Sequence, residues 1–376
     1  MPSIPLPENA SLEHLRNQAK LVQDLIRAGD EGALAMVDEF HPRIGSAEAA
    51  APGGFKRSDA QLIVARLYGF RSWNRLRDHL RLLDRFARPD PADRDPAEGA
   101  DRFAALGCVS YAETDIHARL AAARQMLDED PTLAGASLAA MATAGNHEGL
   151  AAQIEADPSL AAERCGPNDW EPILYCAYSR IDAPDRSLST MDTARVLLGA
   201  GADPNAGFLW RGLVPPFTAL AGAFGHGEQD QPPHPAGFAL ARLLLEAGAD
   251  PNDGQALYNC GLAGSPRDDP SHLELLVEFG LGTDIDGPWY QRFGARLTSP
   301  AELLYDELEV AAHRGLPARM DFLVRLGLDL DRPVGRSGLT PAELAGRSGH
   351  SAVLAILDRA GVNTGPIDVD PDDADV

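Results

Sequence analysis

One short segment of the chain carries side chains that could bind a metal ion or transfer protons. It runs from residue 225 to 235 and places two histidines and two acids within nine residues: His226, Glu228, Asp230 and His234. Imidazole and carboxylate groups bind zinc and ferrous iron, and they also act as general acids and bases. The spacing matches no helical metal motif, and a solvated polar loop is the better explanation. We therefore predict no metal and no cofactor. If the chain is an enzyme, the candidate catalytic residues are His226, Glu228, His234 and Asp182.

A second charged group lies between residues 306 and 313. It contains Asp306, Glu307, Glu309 and His313. Charged residues on a helix usually form a solvated face, so we predict that this group points into water.

The elements that position these residues follow from an internal repeat. Two helix ends read almost identically, ARVLLGAGADPN at 194–205 and ARLLLEAGADPN at 241–252. Weaker copies lie at 282–284, 327–329 and 361–363. In each copy glycine permits a left-handed helix end, and the residues that follow turn the chain outward. The matching start signal is Thr340 or Ser299 followed by proline, which predicts a capped helix.

These features resemble the ankyrin repeat family. The shared pattern is a threonine–proline opening, two short antiparallel helices, a glycine–histidine joint and a Gly-Ala-Asp-Pro-Asn exit. The last repeat, 338–363, is close to this pattern, and the units 170–205 and 217–252 follow it with insertions. The resemblance implies an all-α ankyrin-repeat solenoid over 100–364, made of helix–turn–helix repeats with hairpin loops. Ankyrin arrays are known mainly as interaction scaffolds and share no catalytic residues.

Aromatic residues in this region predict a binding surface. On successive repeats they would align along one concave face, and exposed aligned aromatics are typical of binding sites. The alternative is that the rings pack beneath the hairpins and stiffen the array. Two arginines of the set could orient a carboxylate, and its acids would complement a basic partner. The predicted binding residues are Trp170, Tyr175, Tyr178, Arg180, Trp210, Arg211, Phe224, Asp230, Tyr258, Trp289, Tyr290 and Tyr305.

Two long insertions interrupt the repeats, at 179–190 and 225–235. Both fall in the turn between the two helices of a repeat, and the two repeats are neighbours. They should therefore emerge at the same edge and could meet, which makes them a candidate lid over the aromatic groove.

Residues 1–88 read as an N-terminal helical cap domain. Apolar residues at helical spacing predict helices over 11–28, 30–40 and 58–68, and a fourth that Ser72 caps. A small-residue loop is expected at 45–54. The turn at 69–73 (GFRSW) and the preceding Asp-Ala-Gln resemble the helical leader of bacterial ankyrin arrays. Such a cap covers the apolar end of a repeat stack.

The remaining segments are expected to be irregular. Residues 89–99 are acidic and proline-rich, which predicts a linker, and residues 365–376 read as a disordered acidic tail.

Composition excludes several classes of function. The chain has 56 acids against 33 bases, a net charge of −23, which disfavours nucleic acid and anionic membranes as partners. No apolar stretch approaches the length of a transmembrane helix, and the four cysteines show neither zinc nor disulfide spacing. Phosphate-binding, dinucleotide and hydrolase motifs are absent from the sequence. We predict a cytoplasmic protein.

The most consistent hypothesis is an ankyrin-repeat interaction protein. Its partner would be a protein or peptide with basic character, held on an acidic, aromatic-lined concave face. The alternative is a small-molecule-binding protein or unusual enzyme, whose pocket the repeat insertions form over the aromatic groove.

Overall fold

The computed structural model is mostly helical and forms two compact units. It describes residues 4, 6–7, 10–51, 53–93, 99–112, 115–182, 187–225, 231–261, 268–283, 287–335 and 337–364. The described residues of Met1–Ala87 and Arg211–Leu213 make the smaller unit, and those of Arg88–Trp210 and Val214–Val376 make the larger. Among these described residues, no helix combines the length and apolarity needed to cross a membrane.

The smaller unit contains five helices around its own apolar core. They are α1 (Leu12–Arg27), α2 (Glu31–Phe40), α3 (Ser46–Ala50), α4 (Arg57–Leu67) and α5 (Trp73–Phe86). The four predicted helices are confirmed, and the Ser72 hydroxyl caps α5 by accepting from the Arg75 amide. The predicted loop at 45–54 was wrong in part because α3 lies inside it. Its sequence contains three alanines, the residue with the strongest helix propensity, and Asp38 accepts a hydrogen bond from the Ser46 amide.

The larger unit contains fifteen helices within its described residues. The first eight are α6 (Gly99–Gly107), α7 (Ile116–Glu129), α8 (Leu138–Ala144), α9 (His147–Ala156), α10 (Pro172–Tyr178), α11 (Thr190–Gly199), α12 (Ala219–Phe224) and α13 (Gly237–Glu246). The remaining seven are α14 (Gly254–Gly261), α15 (Ser271–Glu278), α16 (Pro288–Phe293), α17 (Pro300–Arg314), α18 (Pro317–Arg325), α19 (Pro341–Arg347) and α20 (Ser351–Arg359).

These helices pack in two rows. In the first row α6, α8, α10, α12, α14, α17 and α19 contact one another in that order. In the second row α9 contacts α11 and α11 contacts α13, while α18 contacts α20. Most helices of the first row also pack against the helix that follows them in the chain, as α10 does on α11 and α12 on α13. One continuous apolar core runs between the rows from α6 to α20.

The repeated exit sequence forms the same contact in two successive units. The Asn205 side-chain oxygen accepts from the Asp250 amide at 2.8 Å, and its amide group donates to the Gly248 carbonyl at 2.9 Å. One unit later, the Asn252 side-chain oxygen accepts from the Gly282 amide at 2.9 Å. The asparagine therefore joins each helix end to the next one, which explains its recurrence in the sequence.

Both predicted helix starts are confirmed, but the predicted hydroxyl cap forms at only one of them. Thr340 and Glu343 form a reciprocal capping box at the start of α19. Helix α17 begins at Pro300 as predicted, but the Ser299 hydroxyl makes no capping hydrogen bond.

The loop between α11 and α12 departs from an all-helical architecture. Two strands in this loop, β2 (Gly207–Trp210) and β3 (Phe217–Thr218), pair antiparallel. The two-residue strand β1 (Ala87–Arg88) lies much earlier in the chain. Phe208 lies opposite Phe217, with ring centroids 5.7 Å apart. Aromatic residues favour such pairs because their rings pack across the strands.

The segment predicted as a linker begins with residues that pack inside the larger unit. Asp90 is fully buried, and its carboxylate accepts from the Ser110 hydroxyl at 2.5 Å, the Tyr111 amide at 2.7 Å and Trp210 Nε1 at 2.8 Å. A short 3₁₀ helix, Pro91–Asp93, follows. The anchoring carboxylate is therefore part of the fold.

We predict that Gly222→Ala destabilises the protein by about 1–3 kcal/mol, because a methyl group on α12 would lie 2.5 Å from the buried Tyr178 ring. Gly199→Ala is the matched control, since no atom lies within 4 Å of its added methyl group. Urea unfolding of both variants checks this expectation. Equal stability of the two variants would show that α10 and α12 are not packed this closely.

Candidate functional site

Most of the predicted aromatic binding residues are core residues, which corrects the expectation that they are exposed. The buried rings of the predicted set are Trp170, Tyr175, Tyr178, Phe224 and Trp289. Trp170, Tyr175 and Tyr178 are at most 1% exposed. Trp170 stacks on Phe208 with centroids 4.8 Å apart and lies 5.3 Å from both tyrosine rings. Trp170, Tyr175 and Tyr178 therefore pack beneath the β2–β3 hairpin, and their burial prevents direct contact with a partner.

The two buried tyrosines also have satisfied hydroxyl groups. Tyr175 donates to the Cys165 carbonyl at 3.0 Å and accepts from the Asn168 amide, while Tyr178 donates to the Thr218 carbonyl at 2.9 Å. Burial raises the pKa of both phenols well above the usual value. The tyrosines therefore act as structural cross-links between α10 and the hairpin loops.

Arg180 is also structural, which corrects its predicted role in orienting a carboxylate. Its guanidinium is 1% exposed, and burial lowers its pKa to about 10. The donors point at five backbone carbonyls, those of Ala177, Ser179, Gly222, Gly225 and Pro232. Because the last two belong to the second insertion, the prediction that the insertions meet is confirmed, and a buried arginine makes the contact.

The other candidates of the insertions divide into three groups. Asp182 is exposed, whereas His226, Glu228 and Asp230 lie outside the described residues. His234 is buried; its Nδ1 accepts from the Ala236 amide at 3.0 Å, and its Nε2 lies 3.2 Å from the Cys176 carbonyl. Burial lowers the pKa of His234 to about 3. This ring is a neutral structural group with both nitrogens engaged, so it does not act as an acid or base near neutral pH.

The remaining predicted binding residues are at least partly accessible. Arg211 and Tyr258 are exposed, and Trp210, Tyr290 and Tyr305 are half-buried. The Arg332 guanidinium covers the Tyr305 ring at 4.0 Å from its centroid. In the part of the chain that the structure describes, no three His, Cys, Asp or Glu side chains come together as a metal site.

A cavity of about 410 Å³ in the larger unit unites three of the predicted binding residues, Tyr258, Trp289 and Tyr290. Its walls come from α12, α14, α16, α17 and the segments that precede them. Among the described residues, four acids line it together with a single base: Asp250, Asp253, Asp306, Glu307 and Arg296. Trp289 is held in the wall because its Nε1 donates to the Asn205 carbonyl at 2.9 Å. We call this space the acidic cavity.

Asp253 is a fixed carboxylate in the wall of the acidic cavity. Its Oδ1 accepts from the amides of Gln255 and Ala256, both at 3.0 Å, and its Oδ2 accepts from the Thr218 hydroxyl. Burial outweighs these bonds and raises the pKa of Asp253 to about 6. The sequence analysis missed this residue, although it follows a repeat exit at the position that caps the next helix.

Glu307 differs from Asp253 because one oxygen of its buried carboxyl has no hydrogen-bond donor. The side chain is on α17 and is 4% exposed, and Oε2 has no hydrogen-bond partner. Burial raises the pKa of Glu307 to about 7, against the opposing charge of Arg319. The prediction of a solvated helix face is therefore wrong for this residue, although Asp306 beside it is exposed.

A second cavity, of about 460 Å³, lies in the region of α13 and α15. Its lining includes Phe224, His234, Phe238 and His272. The second insertion contributes to this wall, whereas the described residues of the first insertion do not.

No known family model matches the chain, and a search of curated proteins found no match to its sequence.

We predict that Arg180→Met lowers the free energy of unfolding by about 3 kcal/mol or more, because it removes the donors to five carbonyls from a buried site. Arg195→Met is the control, since its ion pair with Asp192 is exposed and such pairs contribute about 1 kcal/mol or less. Chemical denaturation measures both variants. A loss for Arg180→Met no larger than for the control would contradict the structural role.

Glu307→Gln should stabilise the protein more at pH 8 than at pH 5. The folded-state pKa of about 7 exceeds the ordinary glutamate value of 4.5, so this residue's contribution to wild-type stability declines as pH rises between those values. The variant lacks this titration, and its advantage should grow by about 1–3 kcal/mol across the range. Melting temperatures at both pH values test this. Glu274→Gln, at an exposed position, is the control. An identical pH response of the two variants would contradict the raised pKa of Glu307.

Proposed function

We propose that residues 100–364 form an ankyrin-type repeat array that serves as a binding protein. The two rows of short helices, the Asn205 and Asn252 contacts between successive units and the Thr340 capping box support this proposal. Each feature agrees with the repeat pattern that the sequence carries. Residues 11–86 would then be the cap that precedes the array.

The proposed recognition site is the acidic cavity, and its occupant is a basic group on an apolar chain, presented by a partner peptide. The single observation that carries this proposal is the composition of the wall, in which the described residues combine the exposed Tyr258, the half-buried Tyr290 and the buried Trp289 with four acids and one base. Aromatic faces attract cations, and carboxylates compensate their charge.

Size and charge both agree with this occupant. A volume of about 410 Å³ accommodates a long basic side chain together with its neighbours, and it lies within the usual range of ligand pockets. The net charge of −23 would also attract a basic partner before contact.

The same volume favours a second candidate function, the binding of a free organic amine. A small amine and a lysine side chain carry the same cationic group, so the wall of the acidic cavity suits both. They differ in size, because a peptide continues beyond the cavity whereas a small amine is contained in it.

We predict that Tyr258→Ala weakens binding at least tenfold, because this ring is 49% exposed and lines the acidic cavity. Phe238→Ala is the matched control, since Phe238 is 48% exposed on α13 and does not line this cavity. Isothermal titration calorimetry would compare a short leucine–lysine–leucine peptide, its glutamine counterpart and hexylamine.

Each outcome of this titration has a definite meaning. Binding of the lysine peptide, lost with glutamine and weakened in Tyr258→Ala, supports the peptide-binding function. Binding of hexylamine without the peptide replaces it by the small-molecule function. Failure of both cationic probes contradicts the proposal.

A further inference from the structure

Glu307 differs from the other acids of the cavity in its surroundings. Asp253 is held by three donors and Asp306 is exposed, whereas Glu307 is buried and its Oε2 has no donor. A buried polar atom without a partner is unusual in folded proteins and calls for a specific explanation. Other buried side-chain atoms of the described residues also lack a partner, but Oε2 is the one carboxylate oxygen among them, and its residue lines a cavity with an aromatic wall.

The bases near Glu307 are directed at other groups. Arg319 on α18 donates to the Cys260 carbonyl at 2.8 Å, and Arg314 on α17 donates to the Gly261 carbonyl. Arg319 keeps two nitrogens, Nε and Nη1, without hydrogen-bond partners, so it does not bond Glu307. The remaining charged or titratable neighbours are Asp306 on the same helix and the buried Cys260 thiol on α14, and neither stabilises a carboxylate.

From this arrangement we infer that Glu307 is the receptor for the cationic head of the ligand, and that binding of a primary ammonium group releases one proton from its carboxyl. The inference rests on the proposed function of the acidic cavity, and it specifies the ligand class as an alkylammonium ion. A lysine side chain and a free amine share this chemistry.

The proton balance of the binding step is simple. Before binding, the neutral carboxyl avoids an unpaired buried charge, which is costly in the protein interior. The incoming ammonium ion provides the missing donor and the opposite charge, so the carboxyl ionises and its proton passes to the buffer. The products are a carboxylate–ammonium pair and one hydrated proton, and no bond to carbon changes.

The expected pH dependence has a definite sign. Ligand binds the ionised form, and burial places the pKa of Glu307 at about 7 in the unliganded protein. Affinity should therefore rise by about tenfold between pH 6 and pH 8, over which the ionised fraction increases by roughly that factor. The amine stays protonated throughout this range, so the dependence reports on the protein.

The test is calorimetry of the full chain with hexylamine and with the leucine–lysine–leucine peptide at pH 6.5. Titrations in phosphate and in imidazole, which differ in ionisation enthalpy, yield the number of protons released. We expect roughly 0.7 proton per ligand for the wild type. Glu307→Gln should bind at least tenfold more weakly and release at most about 0.2 proton, the share that Asp253 with its pKa of about 6 can still supply. Glu274→Gln, which changes an exposed acid outside the cavity, should retain the release.

The outcomes separate this inference from the proposed function. Binding without proton release in the wild type, or equal release in Glu307→Gln, overturns the inference and leaves the binding function intact. Failure of both probes to bind overturns both. Proton release measured on the wild type tests the inference even if a variant folds poorly. The difference in affinity between the peptide and hexylamine identifies the source of the ammonium group.

Discussion

The constraint on which the larger unit depends is that its helices are too short to be stable alone. Helices α8 and α10 have seven residues each and α12 has six, whereas isolated helices below about 12–15 residues are marginal in water. Their stability must come from packing along the two rows and from the turns that fix each unit on the next. The recurring asparagine is half-buried and matters for this reason, because it connects one helix end to the backbone of the next unit.

The insertions would weaken this packing unless hydrogen bonds within the protein satisfied the polar groups of their backbone. Arg180 provides such bonds because its guanidinium donates to five backbone carbonyls where the segments 179–190 and 225–235 meet. Asp90 has the complementary role, because a buried carboxylate there accepts from backbone amides and from Trp210. One buried cation and one buried anion, each surrounded by backbone partners, thus accommodate segments that a regular repeat would lack.

Periodicity and end signals were enough to predict four helices of the smaller unit, the repeated helix exits and the capped start at Thr340. These signals did not predict which side chains are buried. All seven residues of α10 are buried, and the uniformly apolar run from 172 to 178 was the available signal, since a helix without a polar face is a core helix. Glu307 was missed for the opposite reason. It follows Leu303 by four positions and Leu304 by three, which places it on the apolar face of α17, but the acids around it suggested a solvated face. No sequence pattern could predict which carboxylates lack donors.

That lack of donors is the strongest physical argument for a ligand at the acidic cavity. Asp90 and Asp253 show how this fold treats a carboxylate that it needs for structure, because each accepts at least three hydrogen bonds. Glu307 is equally removed from water, yet Oε2 is unbonded, and Arg319 nearby donates elsewhere. A structural role would have been better served by an apolar side chain of similar size. Uncompensated buried groups are typical of functional sites, where the missing partner arrives with the ligand.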